Sequence, residues 1–187
     1  MRLFIGLDVP YEMRRNLELL LKLLQPKADI AWSPLSNLHI TAKFVGMWPV
    51  ERLDELKDAL RQVPRPGAMQ IGIRGLGWFP NPHHPHVLYA GIQAPEALRQ
   101  LAKSCDEACA EIGVPPETKE FHPHLTLARI KTTVDLFPLK KAIADLPNAD
   151  FGAYTAKEFH LYQSRPTATG SVYTKFATYP LEAPQEV

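Results

Sequence analysis

Apolar positions along the chain change period several times, and each change marks a new element. Residues 2–8 (RLFIGLD) form a short apolar run of the kind a buried strand makes. Residues 11–24 place Leu17, Leu20, Leu21 and Leu24 on one helical face, with Pro26 beyond the end. NLHITAKFVG at 37–46 reads as a strand, and Leu53, Leu56, Leu60 and Val63 mark a second helix that stops before Pro64. Residues 69–77 and 86–93 read as strands around the loop WFPNPHHP. A long helix runs from Pro95 to Ile112, with proline at its start and Gly113 just past its end. HPHLTLARIK at 122–131 reads as a strand and Leu139 to Leu146 as a short helix. Strands are expected at 151–163 and 171–179, with SRPTATG as a hairpin loop between them.

Strands and helices are intermixed without strict βαβα alternation, so the spacing predicts an α+β fold with mainly antiparallel sheets. The order helix, strand, helix, strand occurs twice. A duplicated, two-lobed single domain over residues 1–187 follows, with helices on the outer faces and a groove between the lobes. GIRGLG at 72–77 has the wrong spacing for a dinucleotide or P-loop phosphate cradle.

Composition narrows the function. The 187 residues are 45% apolar and 22% charged, as in an ordinary folded domain. The 18 prolines are about double the usual frequency of roughly 5%, but they are spread between the patterned segments as punctuation. Lys plus Arg is 21 against 20 for Asp plus Glu, a formal net charge of +1. That balance argues against coating long nucleic acid electrostatically, while leaving room for a pocket that grips one phosphate or one nucleic-acid end. No apolar run approaches the roughly 18–20 residues of a membrane span. Asp8 and Pro10 cut the opening run short of a signal peptide, so a cytoplasmic protein is expected. Cys105 and Cys109, four apart in a helical pattern, read as core packing rather than as a disulfide.

The segments that carry chemistry are LHITAKFVG and PHLTLARIK. Each holds His-x-Thr, at His39 and Thr41 and again at His124 and Thr126. Chance alone gives roughly 0.4 such matches in a chain with seven histidines and ten threonines, so the spacing by itself is weak. The context raises it: both copies sit in strands, one per lobe. Strand period two sets histidine and threonine on one face and aliphatic residues on the other. Two imidazoles converging across a groove suit in-line displacement at phosphorus, which needs a base on the attacking water and an acid on the departing oxygen. Histidine titrates near pH 6.5, so one ring can be neutral while its partner is protonated. The threonine hydroxyls can donate to non-bridging oxygens. No metal is required. His39 is taken as the acid and His124 as the base, an order the residues alone leave open.

At these residues the sequence resembles the two-histidine (2H) phosphoesterases, and within them the RNA 2',3'-cyclic phosphodiesterase or 2'-5' RNA ligase branch. RLFIGLDVP, NLHITAKFVG, HVLYAGI, FHPHLTLARIK and LYQSRPTATGSVYTKFATYPL carry the resemblance across nearly the whole chain. It implies hydrolysis of an RNA 2',3'-cyclic phosphate to a 2'-phosphate end, together with a reversible 2'-5' ligation. It implies catalytic roles for His39 and His124, phosphate contacts for Thr41 and Thr126, and a cationic phosphate contact for Arg129. RNA ends or small nucleotides with a 2',3'-cyclic phosphate are the expected partners, with no membrane and no cofactor, and a monomer is expected. Arg129 lies five residues after His124, so plain alternation points it to the opposite face; it reaches the phosphate only if the strand ends, twists or bulges after Thr126. Met47 and His122 depart from the family, which favours an acidic residue and an arginine there.

Other candidates read more plainly. His83, His84 and His86 crowd a proline-rich loop without an acidic or cysteine companion, and are expected in solvent rather than on a metal. Lys43 shares parity with His39 and borders the groove or solvent, whereas Phe44 has core parity. The resemblance also permits an aromatic near a base, with Trp48, Trp78 and Phe79 as loop candidates. His160 is expected to be structural, and Arg165 to sit in the hairpin loop. The rival readings are a relative acting on another cyclic nucleotide or a 2'-5' linkage, and a non-catalytic binder of RNA ends. Two intact histidines count against the binder.

Overall fold

The computed structural model describes residues 1–183. The amphipathic segments become four helices: α1 (Tyr11–Leu24), α2 (Leu53–Arg61), α3 (Glu96–Glu111) and α4 (Phe137–Ala144). Leu17, Leu20, Leu21 and Leu24 are the buried stripe of α1, as the spacing requires. Leu98, Leu101, Ala102, Cys105 and Cys109 are that of α3. Burial pushes the Cys109 thiol up to about 11 and the Cys105 thiol higher still, so both behave as apolar groups. Gly113 follows α3 with φ 101°, and the Val114 N–H caps the Cys109 carbonyl at 3.0 Å.

The strands are β1 (Arg2–Asp8), β2 (Ala31–Trp32), β3 (His39–Met47), β4 (Met69–Phe79), β5 (Val87–Gln93), β6 (His124–Arg129), β7 (Asp150–Ala156), β8 (Glu158–Thr167) and β9 (Gly170–Pro180). They form one antiparallel sheet in the order β7-β4-β5-β6-β3-β1-β8-β9, with β2 added beside the end of β6. The order reads symmetrically outward from the β3–β6 seam, four strands to each side. This is the expected two-lobed duplication, with the two sheets fused into one. The seam itself is narrow: Ile40 opposite Leu125 is the register pair that joins the halves.

A single residue, Lys157, separates β7 from β8, yet the two strands lie in opposite halves. Strands so far apart in the sheet can be joined this closely only if the sheet curls. Tyr154 of β7 accordingly reaches the Asp8 carbonyl of β1, and Asn16 of α1 donates to Phe151 of β7 at 2.8 Å. The single strand expected over 151–163 is therefore two strands. The hairpin loop is also shorter than expected: Arg165 pairs with Val172 inside the β8–β9 ladder, so it is a strand residue.

The largest departure is a change of face in β3. Gly6 pairs with Thr41 but Ile5 pairs with Lys43, so Ala42 is an extra, bulged residue. The bulge inverts side-chain parity downstream. Lys43 is only 5% exposed, bonded to Asp106 of α3 at 2.7 Å and donating to the Pro115 carbonyl at 2.9 Å. Phe44, expected in the core, is 51% exposed on the groove side. No helix among the described residues is long and apolar enough to cross a membrane.

Removing Asp106 leaves a buried ammonium with only a carbonyl for company, and breaking such pairs costs about 3 kcal/mol. Asp106→Ala should lower the urea midpoint accordingly, and Lys43→Met combined with Asp106→Leu should recover most of the loss. A change below about 1 kcal/mol in the single variant would show that the Pro115 carbonyl alone suffices.

Candidate active site

The seam brings the two His-x-Thr segments side by side. Continuing the Ile40–Leu125 register by one residue each way sets His39 across from Thr126 and Thr41 across from His124. Ile40 and Leu125 turn into the core, each fully buried, so the imidazoles and hydroxyls share the opposite face. Each lobe fixes its ring identically. His39 Nδ1 donates to the Asn37 carbonyl at 2.7 Å, and His124 Nδ1 donates to the His122 carbonyl at 2.7 Å. A carbonyl only accepts, so the neutral rings carry their proton on Nδ1 and turn Nε2 to the groove. His39 Nε2 lies 2.9 Å from Thr41 Oγ1.

Arg129 reaches this face through a second bulge. Tyr89 pairs with Thr126 but Leu88 pairs with Ala128, leaving Leu127 extra in β6. The parity shift carries Arg129 back to the histidine side, where its charge acts on both His39 and His124. The bulges in β3 and β6 are equivalent, each three residues after its histidine. Position five after His39 is Phe44, so the pseudo-twofold relates an arginine to an exposed phenylalanine.

Aromatic rings back each imidazole. His39 lies against Phe4 at 4.6 Å and edge-on to Tyr173 at 5.2 Å, with Tyr162 stacked on Phe4. His124 lies edge-on to Phe79 at 5.0 Å, and Phe79 stacks on Tyr89 at 4.1 Å. Gly6 makes room for His39: a Cβ there would stand 2.7 Å from the Ile40 carbonyl oxygen and 3.6 Å from the imidazole.

Burial lowers the pKa of both histidines, against the favourable carbonyl contact at Nδ1. The neighbouring charges differ. Charge on His122 and on Arg129 lowers His124 further. His39 feels His124 and Arg129 in the same sense, but Asp8 raises it. Asp8 pairs with His39 in the β1–β3 ladder and is gripped by Arg14 at 2.5 Å and Lys175 at 2.7 Å. Burial opposes ionisation of Asp8, yet the hydrogen bond from Lys175 and the two charges hold its pKa below the ordinary value.

A cavity of about 370 Å³ opens beside the seam, lined by Thr41, Phe44, Phe121, His122 and His124 among others. Another of about 430 Å³ lies beyond His39, with Asp8, Arg14, Asn37, Tyr173 and Lys175 in its wall.

This arrangement can be set beside known proteins. A family model described as the 2'-5' RNA ligase superfamily matches residues 19–167. The chain belongs to that superfamily. It is 30% identical over 182 residues to the RNA 2',3'-cyclic phosphodiesterase of Methanothermobacter thermautotrophicus, covering 96% of this chain and 98% of the relative. It is 32% identical over 178 residues to the protein of the same name from Archaeoglobus fulgidus, covering 92% and 96%. The crystal structure of a Thermus thermophilus protein superposes with TM-score 0.83 at 28% identity, over 99% of this chain and 100% of the other. E. coli LigT in apo form does so at 0.78 and 25%, over 96% of each.

Within this 2'-5' RNA ligase superfamily member, the structure gathers His39, Thr41, His124, Thr126 and Arg129 into one groove. It leaves Trp48 buried elsewhere, its indole bonded to the Arg52 carbonyl. Trp78 and Phe79 lie in β4 rather than in a loop, and only Phe79 meets a catalytic candidate. His160 is buried against Thr178 at 2.9 Å. Among the described residues no three His, Cys, Asp or Glu side chains converge to hold a metal, and His83, His84 and His86 lie in an exposed turn region. Sequence reading missed Asp8, Phe44 and Tyr173. All three lie in segments that carry the resemblance, but nothing in those segments singles out Asp8, Phe44 or Tyr173.

Asp8→Asn should lower the imidazole midpoint of His39 further, because it removes the one anion acting on that ring and frees two cations beside it. His124 should move little. Imidazole proton NMR titration checks both, and a His39 midpoint that stays or rises would disprove the role of Asp8. The folded pKa values of both rings lie below the unfolded 6.5, so their contribution to stability is present above pH 6.5 and is lost as pH falls below it.

Proposed function

We propose that the groove hydrolyses a 2',3'-cyclic phosphate at an RNA end to a 2'-phosphate, using His39 and His124 as an acid–base pair and no metal. The observation that carries this reading is the matched pair of imidazoles, each locked by Nδ1 to a backbone carbonyl, presenting Nε2 to one groove alongside two threonines. In-line displacement calls for such groups on either side of phosphorus. The relatives named RNA 2',3'-cyclic phosphodiesterase support it.

His124 Nε2 takes a proton from water as its oxygen attacks phosphorus. The P–O3' bond breaks opposite, and His39 passes its proton to the departing 3' oxygen. Burial and Arg129 lower both rings, and the division of roles follows the one neighbouring charge of opposite sign: Asp8 favours the protonated form of His39. Thr41, Thr126 and Arg129 take the non-bridging oxygens, Arg129 as a charged donor. Phe44, exposed beside the apolar cavity, offers its face to the terminal base. With a 5'-hydroxyl RNA end replacing water, the same displacement joins two strands by a 2'-5' bond.

His39→Ala and His124→Ala should each reduce turnover at least a hundredfold, with the double variant losing far less than the product of the two. Wild-type turnover in either, with the fold intact by circular dichroism, would remove that histidine from the mechanism. A leaving group that departs without a proton should rescue His39→Ala selectively; rescue of His124→Ala instead would exchange the two roles. The product assay uses a short RNA with a 2',3'-cyclic phosphate in excess chelator. A 2'-phosphate product is expected. A 3'-phosphate, or loss of activity restored by a divalent ion, would refute the proposed reaction.

A further inference from the structure

The reaction above needs one phosphate, yet the groove face carries more positive charge than one phosphate uses. Along β1, Leu3, Ile5 and Leu7 fill the core while Phe4 and Gly6 face the groove, so Arg2 also faces the groove. The ladders set Arg2 in one cross-strand row with Ser164 of β8 and Tyr173 of β9. On its other side Arg2 pairs with Met47 of β3, two residues along β1 from the Phe4–Phe44 pair, with Leu3 opposite Gly46 between them. Arg2 therefore stands beside the proposed base site, on the side away from Asp8 and its paired cations.

Tyr173 links that row to the reacting centre. Its ring touches Phe4 at 5.0 Å and His39 at 5.2 Å. Burial raises the pKa of its phenol, while Arg129 and Arg2 both pull it back down, so both guanidiniums act on this hydroxyl. Their state differs from that of the cations at Asp8. Arg14 and Lys175 are bonded to a carboxylate. Among the described residues Arg2 and Arg129 are exposed and have no acidic partner within 4 Å. Arg129 serves the reacting phosphate. Arg2 and the phenol remain, a charged donor and a neutral donor on the groove face.

We infer that Arg2 and Tyr173 form a second phosphate contact that holds the phosphoryl group on the 5' oxygen of the terminal nucleotide, so that the groove selects RNA ends over free cyclic mononucleotides. The inference rests on the proposed function, and it names which substrates of that chemistry are preferred. A guanidinium binds a phosphodiester through paired N–H donors, and the phenol adds a third. The occupant is fixed by connectivity. A nucleotide with its cyclic phosphate between the histidines and its base on Phe44 has one remaining point of chain continuation, the 5' oxygen.

Three substrates separate the possibilities: a nucleoside 2',3'-cyclic phosphate, the same compound with a 5'-phosphate, and a dinucleotide ending in the cyclic phosphate. Wild-type kcat/KM should be about tenfold higher for the second and third than for the first, as expected for one charge-assisted contact. Arg2→Gln should bring that ratio close to one. Arg2→Lys should retain part of it, because a point charge replaces a fork. Tyr173→Phe should reduce it. Equal ratios in wild type and Arg2→Gln would overturn the second contact while the cyclic-phosphate chemistry stands. A gain confined to the dinucleotide would overturn it as well, assigning the preference to the second nucleoside. Absence of turnover on all three substrates would reject the underlying reaction together with the contact.

Discussion

The single register pair between Ile40 and Leu125 governs the rest of the groove. It ties two four-stranded halves together at their innermost strands, and its register decides which polar groups face one another. Shifting it by one residue would put the imidazole of one strand on the face opposite that of the other, and bring aliphatic side chains of the slipped strand into the groove. The burial of Ile40 and Leu125 therefore does more than fill volume. It enforces the alignment that sets each histidine beside the threonine of the other lobe.

On that symmetrical frame, chemistry requires asymmetry, and it enters at a few positions. Asp8 in one lobe corresponds to Gly91 in the other, each paired with its own histidine. Arg129 corresponds to Phe44, each placed by an equivalent bulge. Near the seam a guanidinium at one end of the groove thus answers an aromatic ring at the other, although the backbone repeats. Tyr173 adds a third difference, since β9 leans over His39, and Asn37 bonds the Ser171 carbonyl at 2.7 Å. Two identical bases would compete for one proton. Unequal surroundings separate the two rings: Asp8 acts to raise the proton affinity of His39, while the charges acting on His124 lower it.

Most of the elements could be read from hydrophobic period, because helices α1 to α4 and strands β1 and β3 to β6 carry strong amphipathic or apolar patterns. The histidines and threonines were legible for the same reason, lying before the bulges where alternation still holds. Lys43 and Phe44 were misplaced because a one-residue bulge at Ala42 has no compositional mark; alanine there suits a regular strand equally well. The matching bulge at Leu127 resolves the conflict over Arg129. The break at Lys157 was invisible too, since neither glycine nor proline marks it, and β2 is only two residues long. Asp8 was read merely as an interruption of an apolar run, because its partners Arg14 and Lys175 come from distant parts of the sequence.

The pairing of β1 with β8 carries a consequence for synthesis. Residues 2–6 hydrogen-bond to residues 160–164, near opposite ends of the chain. While the protein emerges from the ribosome, the first strand has β3 on one side and an open edge on the other until the last hairpin arrives. In the lobe containing His39, β1 precedes and β8 and β9 follow every strand of the other lobe. Closing such a long loop is slow and leaves hydrogen-bonding groups of β1 unpaired in the meantime. The second lobe, built from strands consecutive or nearly so in sequence, can form earlier and act as the surface on which the first is completed.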